Sequence, residues 1–341
     1  MSEFLVSLEQ GAGLQIVEWL QGSARSIQWY LLLPFHYIGG EFGVMLILAG
    51  VYWLVSRRVG VRLMIIVLGA QVFSNYFKVW WDRPRPYELA PERISHLSQG
   101  DSPGLPSGHT MFGTTFGLWF ADTLRRPWAT AAAVAFILAM GISRMVHGLH
   151  YPQDVVGGWL IGAALYAVFL LVERWVTARP RQWRVLPVTL IVVTVSAVAL
   201  LATVAITEDF EYRKSVLSPM GALAGGAVGL VIERRRLKAQ AGAGANVSPM
   251  RRGKAGVGAP PVRRLLRLAV GLPVLVVVSL GLSALFYGLV GTAESVPVLV
   301  LYLLRYGLLG AYVTLGAPWL FTLLSLDDLE GPDMRPDKAG T

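Results

Sequence analysis

Three short stretches of the 341-residue sequence hold residue types whose chemistry converges on a phosphoryl group. They are Lys78-Val-Trp-Trp-Asp-Arg-Pro-Arg-Pro86, Leu105-Pro-Ser-Gly-His109 and Ser143-Arg-Met-Val-His-Gly-Leu-His-Tyr-Pro-Gln-Asp154. Lys78, Arg85 and Arg144 supply three cations, and arginine offers a planar fork of donors that matches phosphate oxygens. Ser107 and Gly108 open an apolar stretch of helix length, and the free N–H groups of a helix's first turn bind anions. Gly108 also lets the backbone approach closely. Phosphoryl transfer chiefly needs positioning and neutralisation of charge on the equatorial oxygens. Lys78, Arg85, Ser107, Gly108 and Arg144 together describe a cradle for that purpose.

Two histidines can supply the rest. Pro152 suits the first turn of a helix. If that helix starts one turn early, His150 and Asp154 are four apart and share a face. The carboxylate can then hold one imidazole nitrogen and present the other to substrate. His109 sits elsewhere, at the mouth of an apolar stretch, where it could protonate a departing oxygen. One histidine attacks phosphorus and the other is the general acid. No metal or cofactor is expected. His109, His147, His150 and Asp154 leave a metal site open, but such a site would not account for the Lys/Arg cluster.

The elements that position these groups are read from composition. Apolar residues make up 54% of the chain, charged residues 15%, and mean hydropathy is +0.54. Soluble domains carry about 25% charge, so a water-soluble enzyme and a disordered chain are both disfavoured. The 11 Trp and 37 Gly suit membrane helices, with aromatics at the interface and small residues between helices. With no cysteine, disulfides, thiolate metal sites and cysteine nucleophiles are excluded. No cleaved signal is expected at Met-Ser-Glu-Phe-Leu.

Apolar stretches of spanning length are expected at 40–56, 60–80, 108–124, 128–146, 154–174, 185–206, 216–232, 266–290 and 297–323. Residues 14–35 read as an amphipathic interfacial helix. With nine alternating spans, Arg57, Arg58 and Arg62, then Arg125 and Arg126, then Arg174 to Arg184, then the basic run from Arg234 to Arg267, all fall on one side. That side should be the cytoplasm, with the N-terminus outside and the C-terminus inside. The net charge of +9 is thereby explained by topology and not by nucleic acid. Lys78, Arg83, Arg85 and Arg144 lie on the other side, against the charge rule, and invite a functional explanation.

Lys78-x6-Arg85-Pro86, Pro106-Ser-Gly-His109 and Ser143-Arg144-x5-His150-x3-Asp154 resemble the three-part signature of the type 2 phosphatidic acid phosphatase superfamily. The likeness covers roughly residues 40–175. It implies an all-α membrane fold with a six-helix core, here extended by about three C-terminal transmembrane helices. It also implies a phosphohistidine intermediate, with His150 as nucleophile, Asp154 as its partner, His109 as acid, and Lys78, Arg85, Ser107, Gly108 and Arg144 as phosphate binders. The expected organisation is an interfacial helix (1–39), the catalytic core (40–180), further spans (181–232), a basic linker (233–265), a helix pair (266–325) and a tail (326–341).

The expected reaction is metal-independent dephosphorylation of a membrane lipid phosphate or pyrophosphate at the extracytoplasmic face, in a bacterial inner membrane. The bilayer is the expected partner. The alternatives are a phosphotransferase using the same intermediate, and a lipid-binding or transport protein on the same scaffold. His36 reads as a loop histidine, His147 as structural or substrate-adjacent, and Tyr37 and Glu41 as residues that could line the approach. Asp82 is expected to pair with a nearby arginine. Gly113 and Gly117, Gly158 and Gly162, and Gly221, Gly225 and Gly229 are spaced for helix packing.

Overall fold

The computed structural model describes residues 6–23, 27–98, 102–178, 185–242, 261–290 and 295–326. Among them there are helices and connections but no strand. A π-helical turn at Glu9–Gly13 leads into α1 (Leu14–Ser23), followed by α2 (Ile27–Gly39), α3 (Glu41–Leu54), α4 (Arg57–Trp81) and the short α5 (Pro86–Leu89). Then come α6 (Gly108–Leu124), α7 (Pro127–Val146), α8 (Pro152–Thr177), α9 (Val185–Ile206), α10 (Phe210–Gly242) and α11 (Pro261–Val290). The final span is α12 (Val296–Ala311), a π-helical turn at Tyr312–Gly316, and α13 (Ala317–Leu323).

Local chemistry sets several of these boundaries. Ser56 caps α4 by accepting the Val59 N–H at 3.1 Å. Pro127 and Pro152 stand at the first positions of α7 and α8, where a missing N–H costs nothing. Asp82 and Arg125 end α4 and α6 in left-handed conformation.

All nine expected spans coincide with helices. Six helices are long and apolar enough to cross a membrane by themselves. The pair α2 and α3, bent by 65°, has that length and apolarity only when taken together, as a broken span or a re-entrant loop. α6 has only 17 residues, yet it runs from one end of the bundle to the other. Its first turn lies beside Asp154 and its last beside Arg62. The chain is an all-α polytopic membrane protein.

α6 is the pillar of the core. It packs on α4, α7 and α8, burying Met111, Phe112 and Trp119 with Leu63, Val67 and Met140. Close approach relies on the expected glycines. A side chain at Gly113 or Gly117 would meet Met140 or Ile137 of α7, and one at Gly158 or Gly162 would meet Thr110 or Thr114 of α6.

One end of the bundle gathers the basic groups. Arg62 bridges Asp122 of α6 at 2.9 Å and Glu173 of α8 at 2.6 Å. Arg57 reaches Glu233 of α10 at 3.3 Å, and Arg267 of α11 donates to the carbonyls of Trp53 and Leu326. The three motifs meet at the opposite end.

The C-terminal helices form a second layer. α10 and α12 touch backbone to backbone where Gly221 and Gly225 face Leu303 and Gly307, and Gly229 faces the Thr314 hydroxyl of the π-helical turn that follows. This layer docks on the outside of α4. Asn75 donates to the Ser215 carbonyl at 2.6 Å, Tyr212 donates to the Asn75 carbonyl, and Tyr76 donates to the Ala199 carbonyl at 3.0 Å.

Two segments differ from expectation. Residues 14–35 are not one interfacial helix. α1 covers the site end, while α2 packs against α7, with Phe35 against Phe136 at 5.6 Å between ring centroids. Residues 233–242 continue α10 instead of opening the linker, with Glu233 buried between Arg57 and Arg236. Residues 243–260 of the expected linker and the tail from Asp327 lie outside the described residues.

Candidate active site

Four helix ends and the turns between them converge at the site end. The last turn of α4 carries Lys78, and the extended residue before α5 is Arg85. The cap of α6 is Ser107, followed by Gly108 and His109. The end of α7 carries Arg144, and the turn into α8 carries His150 and Asp154. All eight residues expected to act are brought together here. Lys78, Arg85, Ser107, Arg144, His150 and Asp154 are each at most 6% exposed.

The turn between α7 and α8 explains the His150–Asp154 geometry. Gly148 has φ of +69°, and a side chain there would strike the Ser95 carbonyl, so glycine is required. Asp154 caps the first turn of α8 by accepting the Tyr151 N–H at 2.9 Å. The same oxygen lies 3.3 Å from His150 Nδ1. The carboxylate therefore holds one imidazole nitrogen and frees Nε2. Burial and the surrounding Arg85, Lys78 and Arg144 hold His150 well below the ordinary imidazole value. Its imidazole is neutral at pH 7, with a lone pair available.

The cations come from three separate elements. Lys78 Nζ donates to Ser102 Oγ at 2.8 Å, and Arg85 Nε donates to the Ser102 carbonyl at 2.9 Å. Another Arg85 nitrogen donates to the Leu149 carbonyl at 3.1 Å. Arg144 is fully buried beneath them. The α6 N-terminus is held by Ser107, whose N–H reaches the Asp154 carbonyl at 3.1 Å and whose Oγ accepts from Thr110. Gly108 lies against α4, with Ser74 Oγ 3.2 Å from where a Cβ would be. His109 Nε2 sits 3.1 Å from the His36 carbonyl.

An open cleft of about 390 Å³ adjoins this centre, lined by Asp82, Arg83, Pro84, Glu88, Ser102, Pro103 and Asp209. Asp209 comes from the connection between α9 and α10, so the C-terminal layer reaches the mouth of the site. No group of His, Asp or Glu among the described residues is arranged to hold a metal ion.

Several participants escaped the sequence reading. His36 is not a loop residue. It sits in α2, stacked on His109 with ring centroids 5.8 Å apart, and contacts Arg144. His147 accepts from Arg144 as well. The signal for His36 was its place just before Gly39-Gly40, because a side chain at Gly39 would strike the His109 ring. Ser102 carried no signal, since a serine in a polar loop is common. Arg83 pairs with Glu9 of the opening turn, not with Asp82. Glu41 opens α3, and Tyr37 is 64% exposed.

Residues 59–178 match the family described as PAP2 superfamily, and residues 217–329 match one described as PAP2 superfamily phosphatase, transmembrane extension. Glucose-6-phosphatase 3 of Mus musculus is 32% identical over 134 residues, covering 32% of this chain and 38% of that protein. Undecaprenyl-diphosphatase of Sulfolobus acidocaldarius is 24% identical, covering 35% of this chain and 57% of its own. Phosphatidylglycerophosphatase B of Escherichia coli is 38% identical over 78 residues, covering 22% of this chain and 30% of its own. The chain spans 38% to 51% of the length of the glucose-6-phosphatase 3 relatives it matches. No solved structure matches it. The first matched stretch contains all three motifs, the second takes in most of the layer docked on α4, and the chain belongs to the PAP2 superfamily.

Proposed function

We propose that the protein is a membrane phosphatase that removes phosphate from a lipid phosphate or pyrophosphate through a phosphohistidine intermediate. The observation that carries this reading is the His150 Nδ1–Asp154 Oδ2 contact of 3.3 Å in a buried centre faced by Lys78, Arg85 and Arg144.

His150 Nε2 attacks phosphorus while Asp154 steadies the proton on Nδ1 and the imidazolium that develops. Lys78, Arg85, Arg144 and the first N–H groups of α6 neutralise the equatorial oxygens. His109 gives its proton to the leaving oxygen, then takes one from the water that hydrolyses the phosphohistidine. The His36 carbonyl accepts from His109 Nε2–H, so the acid is the His109 imidazolium, whose Nδ1–H goes to the leaving oxygen and whose neutral form takes the water's proton back at Nδ1.

The relatives' names supply the substrate class. Undecaprenyl-diphosphatase and phosphatidylglycerophosphatase B are named for phosphorylated lipids, and this site sits at the end of a membrane bundle. The charge rule supports an extracytoplasmic site: the arginine-rich end, expected at the cytoplasm, is opposite the site.

The test is phosphate release by the purified protein in detergent with EDTA, offered lipid phosphates and pyrophosphates. Release by wild type and none by His150→Ala supports the reading, with Asp154→Ala retaining more activity than His150→Ala. Equal release by His150→Ala would overturn the mechanism, and no release on any substrate would overturn the hydrolase reading.

A further inference from the structure

Every acceptor that the buried Arg144 guanidinium meets is neutral. Nε reaches Ser143 Oγ at 3.1 Å, one terminal nitrogen reaches His36 Nδ1 at 3.2 Å, and the other reaches His147 Nδ1 at 3.4 Å. Among the described residues no carboxylate pairs with it. A guanidinium has donors only. Both Nδ1 atoms must therefore be unprotonated, with each neutral ring carrying its proton on Nε2. For His147 a second contact demands the same tautomer, because its Nε2 lies 3.2 Å from the Trp29 carbonyl, which only accepts.

We propose that His36 and His147 are positioning residues, two neutral imidazoles on different elements that together aim the Arg144 fork at the phosphoryl group without cancelling its charge. This rests on the phosphatase reading above. The physical reason is a difference between acceptors. A carboxylate at either place would form a strong charge-assisted bond and offset the cation. An imidazole lone pair fixes the direction of the N–H just as well and leaves the net positive charge for the substrate.

The clamp requires that both rings stay neutral, and their neighbours favour this. His36 faces Arg144 of α7, His109 of α6, His147 and, on its own helix, Tyr37. His147 faces Arg144, His36 and the Trp29 ring. No acid stands among these partners. Burial and Arg144 lower His147 to about 4 against the pull of the Trp29 carbonyl.

Three variants of the full chain separate direction from charge: His36→Ala, His36→Asn and His36→Asp. Two readouts are used: release of phosphate from dioleoyl phosphatidic acid and farnesyl diphosphate, and the rise in Tm caused by vanadate, a phosphate mimic. The second needs no turnover. Losing a bond to a charged group is worth about tenfold or more. His36→Ala should therefore raise KM and weaken vanadate by about tenfold, with a smaller change in kcat. His36→Asn offers a neutral carbonyl oxygen and should recover most of that loss. His36→Asp should keep the fold yet bind vanadate no better than His36→Ala. The same Asn and Asp pair at His147 repeats the comparison from the other side of the fork, should the Ala variant fail to fold.

Wild-type behaviour of His36→Ala, or equal vanadate binding by the Asn and Asp variants, would overturn the proposal. Arg144→Lys is measured alongside. If that change leaves both readouts untouched, the phosphatase reading of the site falls, and not the clamp alone.

Discussion

The two ends of the bundle use the same side chains for opposite purposes. At the basic end, Arg62 sits between Asp122 and Glu173, and Arg57 against Glu233. At the site end, Arg144 and Lys78 meet hydroxyls and imidazoles, with no carboxylate at ion-pair distance among the described residues. A paired arginine ties helices together, and its charge is offset. One held by neutral groups is aimed but keeps its charge for an anion. The rule also sorts the first motif. Arg83 belongs to Glu9, whereas Arg85 spends its donors on the Ser102 and Leu149 carbonyls. Two residues apart in sequence, they have different duties.

The contrast can be broken experimentally. The largest effect is expected at the nucleophile: His150→Ala should lower kcat by about 10⁴-fold or more, read as phosphate release, with little change in Tm. Next comes a matched pair of substitutions. Arg144→Lys should cost about 10²-fold in kcat/KM, since one ammonium cannot reproduce the fork, while Tm changes little. Arg62→Lys should do the reverse, lowering Tm with kcat/KM close to wild type. Were Arg62→Lys to impair catalysis as strongly as Arg144→Lys, the division between binding and structural arginines would be lost.

A fourth substitution probes the C-terminal layer. Gly225→Leu would place a side chain into the Gly307 backbone. It should lower Tm by forcing α10 from α12, with a smaller loss of phosphate release than at the site. The smallest effect concerns pH. His147 falls from near 6.5 to about 4 on folding, so the unfolded chain binds the extra proton between those values. Stability is then fully present above about pH 6.5 and declines as pH falls toward 4. His147→Asn should flatten part of that decline in a Tm-against-pH series.

The apolar helices, and the convergence of the eight expected residues at one end of the bundle, were legible because both are written in local pattern. Apolar length marks a membrane helix, and the four-residue spacing brings His150 and Asp154 together even though α8 starts only at Pro152, because Asp154 in its first turn reaches back to the turn that carries His150. What was hidden depended on contacts between distant segments. His36 and His109 are separated in sequence by α3, α4, α5 and the loop that follows, and their stacking shows only in the fold. Ser102 gains meaning from Lys78 and Arg85 arriving at it from different elements. The helical start of the expected linker was missed because arginine runs were weighed as topology signals. Glu233, which anchors that stretch, reveals its role only beside Arg57.

Gln21 of α1 makes three bonds: from its amide to the Ser95 and Val146 carbonyls at 2.6 and 3.0 Å, and from the Ser95 N–H to its oxygen at 3.1 Å. One side chain thus stitches the loop after the first motif to the turn of the third. Leu14 and Val17 of the same helix are buried against Tyr87, Ile94, Leu149 and Tyr151. The two loops are thereby joined to each other through α1. Hydrogen exchange should show residues 93–97 and 146–149 opening at one common rate, and Gln21→Ala should split that rate in two.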